Sequence, residues 1–457
     1  MKYTKYITAC ALIFTMTACN YLDLVPKGKS VIETVEDYDG LIEPFSPSYD
    51  INNLTYFPQE AIHFKLDDIL NYTTPLMSVQ FLWDEDYDRA KLIQSDKLYN
   101  DIYRRIAKLN ILLDGIDDAK GSDAVRVKAI AQARLLRAFN YFYLVNIYAK
   151  AYDPATAATD RGIILRTDFN MESTPGQSTV KEVYDQIQSD IDASLANLPD
   201  KRENIYRPGK AMGYAMKAKV HLFRGELQQA IDAAKRVLDY DVALWDLETY
   251  ADAKLQNPFV VVNHDMPECL YHGNGISQFS PDLTHVIKEV VDLYTPKDLR
   301  LELFLKTSRP HPSVEPGSLC FGSYNKVRWN ISGIRLSEVY LIIAECYARM
   351  GNATEAVKWI NDLREYRFRE GEVLPVSAND AAGARQLVVN ERRMELIMTI
   401  NTFFDMKRYT VIPEYRKTLT KTIRGKEYKL EPNSHLYIQP FSIEAMESNP
   451  NLIQNSK

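Results

Sequence analysis

Apolar positions recur at helical spacing along most of the chain, most clearly over residues 335–367, RLSEVYLIIAECYARMGNATEAVKWINDLREYR. Leu336, Val339, Tyr340, Ile343, Ala344 and Tyr347 fall at i, i+3, i+4, i+7, i+8 and i+11, one face of an amphipathic helix. Gly351 permits the left-handed turn that ends it. Asn352 is placed to cap the next helix, with Glu355 reaching back toward the cap. Ala356, Val357, Ile360 and Leu363 supply a second apolar face, so the pattern predicts a helical hairpin.

The same periodicity appears elsewhere. Leu98, Ile102, Ile106, Leu109 and Leu113 mark a helix over 95–116, and Leu136, Phe139, Tyr143 and Ile147 mark its partner over 124–148. Residues 153–176 have the proline, glycine and threonine content of a loop, and a helix over 184–198 ends at Pro199. Ala218, Gly225 and Ala230 then repeat the spacing of Ala344, Gly351 and Ala356, 126 residues apart. Small residues where helices cross and a glycine at the turn are what tetratricopeptide-type hairpins require. Residues 245–330 break the pattern with seven prolines, scattered glycines and a strand candidate at 259–262. Helicity returns at 335 and over 382–409, and 419–450 is short and turn-rich.

The predicted fold class is therefore mainly α: tetratricopeptide-like helical hairpins with an irregular, loop-rich second lobe. Within one integrated globular unit, 19–457, the expected segments are a wrapping arm at 19–60, a helical scaffold with an insertion at 61–244, the irregular lobe at 245–334, and helical hairpins with a tail at 335–457.

Composition agrees with a large folded chain: 457 residues, 46% apolar and 25% charged. Lys+Arg 55 against Asp+Glu 61 gives a net charge of −6 with no long basic block, which argues against nucleic acid as a partner. At the N-terminus, Lys2 and Lys5 precede the short apolar run 6–16, which reads as a secretory signal covering 1–18. Met16-Thr17-Ala18-Cys19 resembles the lipobox of bacterial lipoproteins, with Cys19 as the lipidated residue. Loss of 1–18 removes Lys2 and Lys5 and moves the net charge from −6 to −8. Of the other cysteines, Cys10 leaves with the signal, Cys346 reads as a small apolar helix residue, and pairing of Cys269 with Cys320 stays open.

Catalytic signatures are missing. The sequence holds no P-loop, dinucleotide fingerprint, GxSxG elbow or HExxH pair, and no cofactor or metal site is expected. Asp84, Asp86 and Asp88 imitate the start of a calcium loop, but Arg89 stands where glycine is needed and Ser95 where the bidentate glutamate should be. His264, Cys269 and His272 lack a convincing fourth ligand. A glycosidase needs two opposed carboxylates, and spacing singles out no pair, which leaves a surface glycoside hydrolase only as the lesser alternative. Glu391 and Glu395, one helical turn apart and alike in charge, instead require arginines, from Arg392, Arg393 or another helix, and predict a structural ion-pair network. Asp405 and Arg408 read the same way.

Taken in order, several stretches carry a resemblance. They are Cys19-Asn20-Tyr21-Leu22-Asp23 with Pro26; Ala133-Arg134 through Arg137-Ala138 to Tyr148; and the hairpin around Ala218 and Gly225. Ala344-Glu345, Gly351, Ile360-Asn361 and Arg364 follow, then Glu391-Arg392-Arg393-Glu395, Asp405-Arg408 and Asn449-Pro450-Asn451-Leu452-Gln454-Asn455. In that order and spacing the chain resembles the SusD/RagB family of outer-membrane nutrient-binding lipoproteins. Ala149, Thr399-Ile400-Asn401 and 436–440 depart from the family pattern, all in scaffold motifs.

The resemblance implies a non-enzymatic surface lipoprotein anchored in the outer membrane. It would bind an oligosaccharide, or a peptide in the RagB-like branch, and serve a SusC-like TonB-dependent transporter as its lid. Arg137, Glu345, Asn361 and Arg364, with the charges at 391–408, are then expected to lock the scaffold. Recognition residues are not part of the family motifs. Sugar chemistry asks for aromatic platforms flanked by polar groups, which points to Trp83, Tyr87, Tyr271, His272, Phe279, Phe321, Tyr324 and Trp329.

Overall fold

Local signals and apolar periodicity account for most of the helices. The computed structural model describes residues 32–42, 57–64, 75–170, 172–256, 268–273, 284–307, 315–321, 330, 332–423 and 425–457. In the first half, a short helix α1 (Val35–Asp39) is closed by a capping box from Thr34 and Asp37. After it come strand β1 (Ile62–Phe64), α2 (Pro75–Leu82) and the long pair α3 (Lys97–Gly115) and α4 (Asp123–Tyr148). Helix α5 (Val180–Leu195) opens on a second capping box, Thr179 with Glu182, and precedes α6 (Lys210–Arg224) and α7 (Leu227–Val237).

The middle of the chain is built from short pieces: α8 (Leu247–Gln256), β2 (Cys269–Tyr271), β3 (Thr284–Val286), α9 (Lys288–Val291), α10 (Leu299–Phe304), β4 (Leu305–Thr307), β5 (Leu319–Phe321) and β6 (Ile334–Arg335). Strands β1, β3, β5 and β4 lie in that order in one antiparallel sheet, with His63 opposite His285 and His285 opposite Cys320. β2 pairs with β6, so Cys269 and Cys320 sit in different sheets. The expected strand at 259–262 lies outside the described residues.

Regular helices then resume as α11 (Leu336–Arg349), α12 (Ala353–Arg364), α13 (Ala381–Glu395) and α14 (Asn401–Tyr409). The hairpin β7 (Leu419–Ile423) and β8 (Lys426–Leu430) follows, and α15 (Ile443–Ser448) is the last helix. The fold is mainly helical, with 15 helices among the described residues.

The 126-residue repeat holds down to individual hydrogen bonds. At the end of α6, Gly225 N donates to Leu222 O at 3.1 Å and Glu226 N to His221 O at 2.9 Å. At the end of α11, Gly351 N donates to Ala348 O at 3.3 Å and Asn352 N to Tyr347 O at 2.9 Å. Both glycines are left-handed, φ 79° and 87°, as this termination demands. Ala218, Ala230, Ala344 and Ala356 are fully buried, and α11 packs against both α6 and α7.

Two local expectations change. Asn352 caps α12 by accepting from Glu355 N at 3.1 Å, but its own amide already closes the turn of α11, so Glu355 has no donor to reach back to. The helix expected over 382–409 is two helices, divided where Met398 takes φ 60°. α13 buries one stripe, whereas α14 is buried over all but its last residue, so apolar spacing alone does not mark the break.

Candidate functional site

Most of the charged residues singled out from the sequence fall into two buried clusters, both reached by α13. In the first, Arg408 Nη2 donates to Glu345 Oε2 at 2.6 Å and Arg408 Nε to Asp405 Oδ1 at 2.9 Å. Arg392 grips the same Asp405 with Nε and Nη2, at 2.7 and 3.0 Å. Burial pushes the Glu345 carboxyl up, but the charge and hydrogen bonds of Arg408 outweigh it and hold the group below its usual range. Asp405 is depressed in the same way, burial being overcome first by Arg392 and then by Arg408.

In the second cluster the like-charged pair Glu391 and Glu395 is neutralised by arginines from other elements. Arg300 of α10 lies 2.7 Å from Glu391 and 2.9 Å from Glu395. Arg364 donates to Glu391 at 3.1 Å, and Arg367 holds both Glu395 oxygens at 2.9 Å while also reaching Glu268 at 3.0 Å. Glu395 is therefore held well below the ordinary carboxyl range despite its burial. Arg300, Asp298, Glu268, Arg335 and Arg367 had no place in the sequence reading. Their partners lie 28 to 99 positions away in the hydrogen bonds between Arg300, Arg367, Glu268 and Glu395, beyond any local spacing rule.

Three other expected members stand apart. Arg393 turns outward to Glu60 at 3.3 Å and Glu289 at 2.8 Å, tying β1's approach and α9 to α13. Asn361 makes two hydrogen bonds with the backbone of Val376, at 2.9 and 3.0 Å, and so pins the segment after α12. Arg137 forms a separate buried pair with Asp190 of α5, at 2.7 and 2.8 Å, and also reaches Asn110 at 2.9 Å.

The aromatic candidates fall in several places. Trp83 is 4% exposed, has φ 53°, and lies against Lys421 of β7. Tyr87 is 50% exposed, beside the acidic run at 84–88. Tyr271, on β2, is buried with its ring 5.2 Å from Phe139 of α4, and buried His272 stands edge-on to Tyr206 at 5.7 Å. Those two fasten the middle lobe to the scaffold. Phe321 is placed only by its backbone, opposite Leu305. Cys19, Phe279, Tyr324 and Trp329 lie outside the described residues. The structure also forms a groove that no sequence signal marked, between α3, the segment 163–170 and α15.

Carboxylates saturated by arginines have neither a proton to give at neutral pH nor a lone pair free to take one. Such a network locks the helical-hairpin scaffold and serves its architecture. The chain belongs to the SusD family. A SusD-like model described as "Starch-binding associating with outer membrane" matches residues 20–222, and a model of the SusD family matches 322–457. "SusD-like protein P2" of Formosa agariphila is 26% identical over 63% of this chain and 66% of its own length. A SusD superfamily protein from Bacteroides thetaiotaomicron superposes with a TM-score of 0.71 at 19% identity, covering 93% of this chain and 100% of that one. A SusD-like carbohydrate binding protein from Bacteroides vulgatus gives 0.67 at 19%, covering 92% and 97%.

Proposed function

We propose that this chain is a surface lipoprotein, anchored through Cys19, that binds an oligosaccharide and delivers it to a SusC-like TonB-dependent transporter. The observation that carries the reading is a SusD-like fold extending over nearly the whole chain. It is supported by a matching family model described as starch-binding and by a structural relative described as carbohydrate binding. Tyr87, together with Phe279, Phe321, Tyr324 and Trp329, is proposed to offer the aromatic platforms, whereas the buried Trp83, Tyr271 and His272 serve packing. Hydrogen bonds and ring contacts of about 1 kcal/mol each add up to roughly millimolar to micromolar affinity, suited to a carrier that must release.

Titration calorimetry against panels of oligosaccharides and peptides tests the ligand class. Saccharide binding is expected, and peptide binding alone replaces the reading with the RagB-like one. Mild detergent extraction from native membranes is expected to copurify a large barrel protein. Cys19→Ser is expected to release the chain from the membrane fraction, and unchanged membrane retention defeats the anchor.

A further inference from the structure

The groove between α3, the segment 163–170 and α15 has a volume of about 380 Å³, within the roughly 300–1,000 Å³ of small-molecule sites. None of its lining residues comes from the irregular lobe. Phe169 lines it with a ring that is 43% exposed, and Tyr103 lies on the α3 side.

An exposed aromatic on a loop ordinarily spends entropy when it binds. This one is held in advance. Asn110 Nδ2 donates to the carbonyls of Arg166 and Asp168, at 2.8 and 3.0 Å, and the Phe169 amide donates to Asp114 Oδ2 at 2.7 Å. Arg137, fixed by Asp190, donates to Thr167 O at 3.0 Å. On the far side Asn449 Nδ2 donates to Pro175 O at 2.9 Å. The segment is clamped from the scaffold, and the chain just beyond it is held by the C-terminal region.

The polar groups left over have a distinct character. The Asn100 amide and the carboxylates of Asp168 and Glu444 make no side-chain hydrogen bond or ion pair among the described residues. Asn170 Oδ1 accepts from the amides of Glu172 and Ser173, which leaves its NH2 group to donate. The cation at the groove, Arg166, spends its guanidinium on the carbonyls of Asn170 and Ser173, at 2.9 and 2.6 Å. Two unpaired carboxylates against the single guanidinium of Arg166, which its carbonyl partners hold in place without cancelling its charge, leave the described lining net acidic and disfavour an anionic ligand. Donors and acceptors alternating beside an aromatic face match a molecule whose hydroxyls both give and accept and whose C–H face is flat.

We infer that this groove is a second saccharide subsite, on the helical scaffold, that takes a short neutral glycan segment with Phe169 as its platform and Asn100, Asp168 and Glu444 as its hydroxyl partners. The inference rests on the saccharide-binding reading above and adds a contact point outside the irregular lobe. Two subsites on one glycan raise retention through effective concentration without tighter individual contacts.

The test uses the mature chain titrated calorimetrically with maltohexaose, cellohexaose, xylohexaose and mannohexaose, in wild type, Phe169→Ala, Phe169→Tyr and Asn100→Ala. Phe169→Ala and Asn100→Ala are expected to weaken binding about threefold to tenfold with unchanged melting, and Phe169→Tyr to retain it. A diazirine derivative of the saccharide that binds is expected to label the 163–170 peptide in wild type and not in Phe169→Ala. Unchanged affinity and no labelling of that peptide overturn the subsite and leave saccharide binding standing. A wild-type chain that binds none of the four, or a groove labelled only by peptide probes, overturns both.

Discussion

The ammonium of Lys421, on β7, lies 4.0 Å from the centroid of the Trp83 indole and donates to the Phe81 carbonyl at the end of α2. The same ammonium is 4.5 Å from the Phe81 ring, so a lysine without a carboxylate is held by two aromatic faces and a helix C-terminus. Burial drives its amine well below the ordinary value of 10.5. The contact joins residues 338 positions apart and fixes Trp83 in a left-handed conformation that costs a non-glycine residue about 1–2 kcal/mol.

Trp83 and Tyr87, four positions apart, are expected to respond differently to truncation. Trp83→Ala should lower unfolding stability by about 3–5 kcal/mol in urea titrations, because it empties a buried site. Tyr87→Ala should stay within about 0.5 kcal/mol of wild type and register in saccharide affinity instead. Equal stability losses at the two positions would contradict the difference in burial.

Removing one partner of a buried ion pair strands the other. Arg408→Ala removes both short hydrogen bonds to Glu345, leaving it only the longer contacts to Arg392 and Arg349 at 3.7 and 3.8 Å, and one bond to Asp405, and is expected to cost about 3 kcal/mol. Adding Glu345→Leu to that variant should recover part of the loss, which a double-mutant cycle in guanidinium reads directly.

The depressed carboxyls set the acid response. Glu345, Asp405 and Glu395 all have folded-state values below their unfolded ones, so their stabilisation is complete above the ordinary 4.5 and 3.8. As the pH falls below those values the unfolded chain takes up protons first and stability declines toward the folded-state values. Glu345→Gln should flatten part of that acid slope while leaving the shape above pH 5 unaltered, as followed by denaturation midpoints across a pH series.

The two repeat glycines offer a matched pair. A Cβ at Gly225 or Gly351 meets no atom within 4 Å, so alanine there adds only backbone strain. Each substitution is expected to cost about 1 kcal/mol, and the two costs should agree. A much larger loss at one site would mean that the two turns are not equivalent.

The sequence by itself determined the hairpin helices, the glycine turns and the 126-residue repeat, because apolar periodicity, caps and left-handed turns act within a few residues. It also pointed to a charged network, since like charges one turn apart on a helix demand partners. Which arginines answer Glu391 and Glu395 was decided only by the tertiary structure, because Arg300 and Arg367 arrive from separate elements of the chain. The same holds for the aromatics. Trp83 and Tyr87 are equivalent as letters, and only packing against β7 buries the one and leaves the other open. Phe169 carried no signal in a stretch readable only as loop, yet Asn110, Asp114 and Arg137, two of them on α3 and one on α4, converge on the backbone of its segment. Local chemistry fixes what a segment becomes, whereas exposure and convergence belong to contacts between segments that no spacing along the chain encodes.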